Sequence, residues 1–168
     1  KGDTFLIAGN AQPNPDQAKT QFIVENCYVD GDVADLGATG IRCISTLGSL
    51  RIANTIIENI AVGADFTDCS EVELDQLTFN NIIENGTNTR AGKALIIERC
   101  DGFDVSNCGF DACEEEAIWI SESNGNTIRG NTFKDVYTVE SVSSDQPAVT
   151  IRNGSSNNTL RDNTFGYE

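Results

Sequence analysis

The stretch Ala117-Ile-Trp-Ile120 leads to Thr127-Ile-Arg-Gly-Asn-Thr-Phe133, and Ala148-Val-Thr-Ile151 leads in the same way to Thr159-Leu-Arg-Asp-Asn-Thr-Phe165. In both copies apolar and polar residues alternate over short runs, which is the period of a strand with one buried face. A pattern that recurs at this interval indicates units that stack on one another.

Four weaker copies extend the same template, and each ends in a bulky anchor residue. The anchors are 22 to 32 residues apart, at Tyr28, Ile57, Phe79, Phe110, Phe133 and Phe165. An apolar residue precedes each anchor by five positions, at Ile23, Ile52, Leu74, Val105, Ile128 and Leu160. Among the anchors, we predict one buried column formed by Phe79, Phe110, Phe133 and Phe165.

These short strands and repeat lengths favour an all-β fold, a single-stranded right-handed parallel β-helix of about six coils. The rival fold is a two-sheet β-sandwich, which is disfavoured because the copies repeat head to tail. Residues 1–168 are predicted to form one domain, with Lys1–Lys19 as an N-terminal cap. Because no cap is evident after Phe165, the sequence indicates either a fragment of a longer chain or self-assembly through coil ends or sides.

Long and short coils alternate, and the extra residues always follow the anchor. They fall in Val29–Gly40, Asn80–Lys93 and Lys134–Pro147, so we expect three loops on one side of the stack. Such loops either carry binding residues or are insertions tolerated at a permissive corner.

The charge and composition exclude several classes of function. The net charge is −15 and the pI about 4.1, so binding to nucleic acid through phosphates is not expected. No run is apolar enough to insert into a membrane. The sequence has no histidine, which excludes Ser/His and Cys/His nucleophile systems. Its dense acidic patches are interpreted either as calcium ligands or as a solvated face.

The six cysteines favour an oxidising, extracellular compartment. Cys69 and Cys100 each lie five positions before an equivalent apolar residue, so we predict that they stack and form a disulfide. The alternative is a column of reduced thiols. No partners are assigned to Cys27, Cys43, Cys108 and Cys113. Acceptor patterns for N-glycosylation begin at Asn85, Asn153 and Asn157, which agrees with secretion.

Two segments, Asn126–Phe133 and Asn158–Phe165, resemble the repeats of the pectin-lyase-like right-handed β-helix superfamily. A narrower similarity relates residues 114–165 to the active region of the chondroitinase B and alginate lyase family. This second resemblance implies a catalytic arginine at Arg152 and a base at the position of Glu122. It also implies calcium ligands among Glu114, Glu115 and Glu116. Glutamate at 122 replaces the family's lysine base, and Asn153 replaces its usual histidine.

Two hypotheses of function follow. The first is an extracellular, non-catalytic β-helix module, a structural, fibre or adhesion element that binds a polysaccharide or other glycan. The second is a polysaccharide lyase or glycoside hydrolase, or a piece of one, that acts on an acidic polysaccharide. The first is favoured because the lysine base is missing and because Arg99, which shares a coil position with Glu122, would lower the pKa of that carboxyl.

Overall fold

The computed structural model describes residues 5–8, 22–31, 38–84, 89–136 and 147–166. These residues form three sheets of six strands each, and all the strand pairs are parallel. No helix of the described residues is long and apolar enough to cross a membrane.

Each sheet takes every third strand of the chain. The first sheet contains β1 (Phe5–Ala8), β4 (Thr39–Ile44), β7 (Val62–Thr67), β10 (Leu95–Glu98), β13 (Ile118–Ser121) and β16 (Val149–Arg152). The second sheet contains β2 (Phe22–Glu25), β5 (Leu47–Ala53), β8 (Ser70–Asp75), β11 (Asp104–Ser106), β14 (Thr127–Arg129) and β17 (Thr159–Arg161). The third sheet contains β3 (Tyr28–Asp30), β6 (Ile56–Ile60), β9 (Thr78–Ile82), β12 (Gly109–Cys113), β15 (Thr132–Val136) and β18 (Thr164–Gly166).

The chain therefore passes through the first, second and third sheets in turn and then begins the next coil. Three successive strands make one coil, and six coils stack in sequence order. This is the parallel β-helix that the repeats predicted. Parallel strands need a crossover connection, and here the other two sheets of the same coil supply it.

Single residues with positive φ make the corner between the second and third sheets. Their φ angles lie between 48° and 64°, at Asn26, Asn54, Gln76, Asn107, Gly130 and Asp162. Asparagine, aspartate and glycine tolerate this left-handed conformation better than other residues, which explains their recurrence at one position of the template.

Stacked phenylalanine rings form the core behind the third sheet, as predicted. The ring centroids of Phe79, Phe110 and Phe133 follow one another at 5.1 and 4.9 Å, and Phe165 continues the column at 4.8 Å. The first three rings are buried, but Phe165 is 58% exposed, so its predicted burial was wrong. Phe165 belongs to the last coil, where Phe133 covers one face of its ring.

The register of the first coil differs from the prediction by one residue. Val29, and not Tyr28, pairs with Ile57 and is buried in the anchor column. Val24, and not Ile23, likewise pairs with Ile52. A shift of one residue moves a side chain to the opposite face of a strand, so Tyr28 points outward, where it is 61% exposed and donates a hydrogen bond to Glu58.

The three long connections all leave and rejoin the stack at the same corner, between the third sheet and the first, as predicted. Each of them connects a third-sheet strand to the first-sheet strand of the next coil, after β3, β9 and β15. Residues 32–37, 85–88 and 137–146 of these loops lie outside the described residues. In the predicted cap, residues 5–8 are strand β1 of the first sheet, and the other residues up to Lys19 also lie outside them. Self-assembly through coil ends or sides stays a prediction.

Cys69 and Cys100 are neighbours at one corner, but the structure contains no bond between them. All six cysteines are free thiols, so the predicted disulfide is not formed in this structure. The backbone N–H of Cys69 donates to Cys100 Sγ at 3.3 Å. The Cys100 thiol donates to the Glu98 carbonyl at 3.1 Å, and the Cys69 thiol lies 3.6 Å from Cys43 Sγ.

Titration of the thiols distinguishes the free column from a disulfide. In the native protein we expect one equivalent to react, at the partly exposed Cys27, because the other five thiols are buried. Burial also raises the pKa of Cys108 to about 12, which suppresses its reactive thiolate. After unfolding without reductant, all six should react; two fewer would show that a disulfide is present after all.

Candidate cleft on the first sheet

The outer face of the first sheet brings together residues from successive coils. Strand pairing aligns Arg42, Asp65, Ile96, Trp119 and Thr150 in one outward row. Trp119 lies on this face because its neighbours Ile118 and Ile120 point into the core, where both are buried. A second row, two residues further along the strands, includes Glu98 and Arg152.

A cleft of about 520 Å³ opens on this face. Residues at the end of the second long loop and in the segment before β13 line it together with residues of the strands. Its lining residues are Thr89, Arg90, Lys93, Ile96, Glu98, Glu115, Glu116, Trp119 and Arg152.

Arg90 joins two carboxylates at one end of the cleft. Its guanidinium lies 2.8 Å from Asp65 Oδ1 and also forms an ion pair with Glu98. The side chain of Asp65 is 4% exposed, and Arg42 approaches it from the neighbouring coil at 4.0 Å. A buried carboxylate needs such partners, and these fix the end of the long loop against the sheet.

Glu116 organises the other end of the cleft. Lys93 Nζ lies 3.2 Å from Glu116 Oε2, and Arg152 Nη2 lies 3.3 Å from Glu116 Oε1. Lys93 is also 3.7 Å from Glu115 and donates a hydrogen bond to the Thr89 carbonyl. Glu116 Oε2 is buried without an aligned hydrogen-bond donor, although the charge of Lys93 is near.

Burial changes the acidity of two carboxyl groups at the cleft. It raises the pKa of Asp65, and the guanidinium groups of Arg90 and Arg42 oppose this effect. Burial also raises the pKa of Glu115, where the positive charge of Lys93 lowers it and the negative charge of Glu116 raises it further.

Of the two predicted catalytic residues, the structure places one in the cleft. Arg152 lines it with its side chain half exposed. Glu122 does not; it is exposed at the corner that follows β13 and is stacked in one column with Arg99 and Asp68. Arg99 forms an ion pair with Asp68 at 2.8 Å. Arg152 thus lines the cleft and Glu122 lies outside its lining.

The three glutamates predicted to bind calcium have different neighbours. Glu114 accepts a hydrogen bond from the Glu84 backbone N–H at 2.7 Å, whereas Glu115 and Glu116 face Lys93. Glu115 and Glu116 therefore share Lys93 as a neighbour, whereas Glu114 has a separate partner, and calcium binding by these glutamates stays a prediction. No group of three metal-ligating side chains is found in the part of the chain that the structure describes.

Sequence reasoning missed most of the cleft. Arg90 and Lys93 end one of the loops proposed to carry binding, which was the available signal for them. Trp119 lies between Ile118 and Ile120 in the alternating pattern of the repeat, and this alternation places it on the face opposite theirs. Asp65 belongs to one of the dense acidic patches, but its ion pair and that of Glu98 left no local signal, because the arginine comes from elsewhere in the chain.

Comparison with known families agrees with this geometry. A family model described as a right-handed β-helix region matches residues 16–167, and the chain belongs to this family. A search of curated proteins and a search of solved structures found no match.

Proposed function

We propose that this chain is an extracellular, non-catalytic β-helix module that binds a glycan in the cleft of the first sheet. The rigid stack would serve as a structural or adhesion element, and the cleft would supply recognition. The observation that carries the proposal is Trp119, partly exposed on the floor of a cleft rimmed by charged hydrogen-bonding groups.

The chemistry of the cleft suits a sugar ring. An aromatic face offers an apolar surface to the C–H groups of a pyranose, while guanidinium and carboxylate groups bond to its hydroxyls. Arg90, Glu98 and Arg152 provide such groups around the tryptophan. They come from a sheet and from a loop held by ion pairs, so the site is organised before a ligand arrives.

The same geometry argues against catalysis. Abstraction of a sugar proton needs a base that touches the substrate, and Glu122, at the position resembling that base, does not line the cleft. Among the cleft carboxylates, Glu98, Glu115 and Glu116 each face a cation that holds them. These observations support binding without turnover.

An extracellular location belongs to the same proposal. Asn153 and Asn157, two of the residues in acceptor patterns for N-glycosylation, are exposed at turns of the last coil. The net charge of −15 disfavours nucleic acid as a partner.

Replacing Trp119 with alanine should weaken glycan binding by about 30-fold or more, equivalent to about 2 kcal/mol, because a central aromatic contact is lost. The measurement is a glycan array followed by calorimetry on the glycans that bind. Tyr28→Ala is the matched control, because Tyr28 is an exposed aromatic residue on the third sheet. Binding that survives Trp119→Ala, or that is lost equally in Tyr28→Ala, would contradict the location of the site.

The alternative is a polysaccharide lyase or hydrolase, and the position of Arg152 in the cleft favours it. Incubation with alginate, pectate and chondroitin, with and without calcium, followed by ultraviolet detection of unsaturated products, tests the lyase. Assay of reducing ends tests the hydrolase. Turnover that disappears in Arg152→Ala would replace the binding module with an enzyme.

A further inference from the structure

The cleft contains a balanced set of charges, which bears on the glycan that it can hold. Its lining includes three cations and three carboxylates, which are Arg90, Lys93, Arg152, Glu98, Glu115 and Glu116. Asp65 and Arg42 stand beside it as a further pair. Counted over the residues that the structure describes, the lining of the cleft is thus neutral, within a protein of net charge −15.

Each of the three cations already has a carboxylate partner. Arg90 contacts Asp65 and Glu98. Lys93 contacts Glu115 and Glu116, and Arg152 contacts Glu116. The carboxylate of an acidic sugar would have to compete with these partners, and it would approach them at close range with the same charge.

Sugar hydroxyls meet neither obstacle. A hydroxyl donates to one carboxylate and accepts from a guanidinium, so it can bridge an existing ion pair without breaking it. Glu116 Oε2 accepts no hydrogen bond in this structure, so it has acceptor capacity for a hydroxyl, whereas an ionised carboxylate has no proton to offer.

We infer that the cleft selects neutral glycans over uronate-containing ones, an inference that rests on the proposed function. The selectivity comes from the internal ion pairs, which offer donors and acceptors but no net positive charge. The acidic surface around the cleft adds a long-range repulsion of polyanions.

The test is calorimetry with two matched pairs of probes. Each pair consists of a neutral hexasaccharide, either cellohexaose or mannohexaose, and the oligomer of the corresponding uronate. The neutral member should bind at least about tenfold more tightly. Its affinity should change little between about 0.01 M and about 1 M salt, whereas that of the uronate should rise as the repulsion is screened.

Two variants, each of which removes one negative charge, test whether the selectivity arises in the cleft. Glu98→Gln leaves the cleft with an excess positive charge, so uronate affinity should rise about tenfold or more. Glu73→Gln is the control, because Glu73 forms an ion pair with Arg51 on the second sheet, and uronate affinity should not change.

The outcomes separate the two proposals. Uronates that bind more tightly than their neutral partners, with binding lost in Trp119→Ala, would overturn the inference and leave the binding module intact. A rise in uronate affinity that is equal in Glu73→Gln and Glu98→Gln would show that overall charge, and not the cleft, decides selectivity, and would also overturn it. Failure of both classes to bind would contradict the proposed function itself.

Discussion

Replacing Phe110 with alanine should lower the free energy of unfolding by about 3–5 kcal/mol. The Phe110 ring is buried between those of Phe79 and Phe133, at centroid separations of 5.1 and 4.9 Å. Its removal leaves a cavity that the neighbouring rings cannot fill, because each ring is held in place by its own coil. Urea denaturation followed by circular dichroism measures the change.

Phe165→Ala is the matched control within the same column. Phe165 stacks on Phe133 at 4.8 Å, but it is 58% exposed, so its loss should cost about 1 kcal/mol or less. Equal effects of the two substitutions would contradict the packed column, because the exposures predict clearly different costs.

Replacing Gly63 with alanine should also have a large effect and lower the free energy of unfolding by about 3 kcal/mol. A Cβ atom at Gly63 would lie 2.6 Å from Phe79 Cδ1 and would also collide with the carbonyl oxygen of Ala94. Gly63 shares its corner of the stack with Gly40, Ala94 and Ala117, where the chain enters the first sheet and side chains must be small. Thermal and urea unfolding give the measurement.

Gly109→Ala is the control for Gly63→Ala, because this substitution is not expected to destabilise the protein. No heavy atom lies within 4 Å of the position that its Cβ would take. Alanine should therefore leave the stability unchanged or raise it by about 0.5–1 kcal/mol, since it restricts the unfolded chain more than glycine does. Loss of stability at Gly109 comparable to that at Gly63 would refute the steric explanation.

Much of the fold could be predicted because stacking makes the sequence repeat itself. Phe79, Phe110 and Phe133 recur at one position since each ring packs on the next. The same logic failed at Tyr28, where an aromatic residue lies beside the true core residue, Val29. Local sequence does not distinguish the two, and the choice depends on the pairing of Val29 with Ile57 in the next coil.

The cleft was harder to predict because it depends on where a loop returns to the sheet. Arg90 meets Asp65 across 25 residues of sequence, and Lys93 meets Glu116 across the boundary between two coils. Neither pair leaves a local pattern. The predicted partnership of Cys69 and Cys100 shows the same limit, since the sequence predicted their stacking and not the directions of their thiols.

Trp119 fluorescence tests the central claim most directly, because Trp119 is the single tryptophan of the chain and lies on the floor of the cleft. Titration with a glycan that binds on the array should produce a saturable change in tryptophan emission, with the same dissociation constant as calorimetry. Glycan binding that calorimetry detects but that leaves the emission of Trp119 unchanged would contradict a binding site in the cleft.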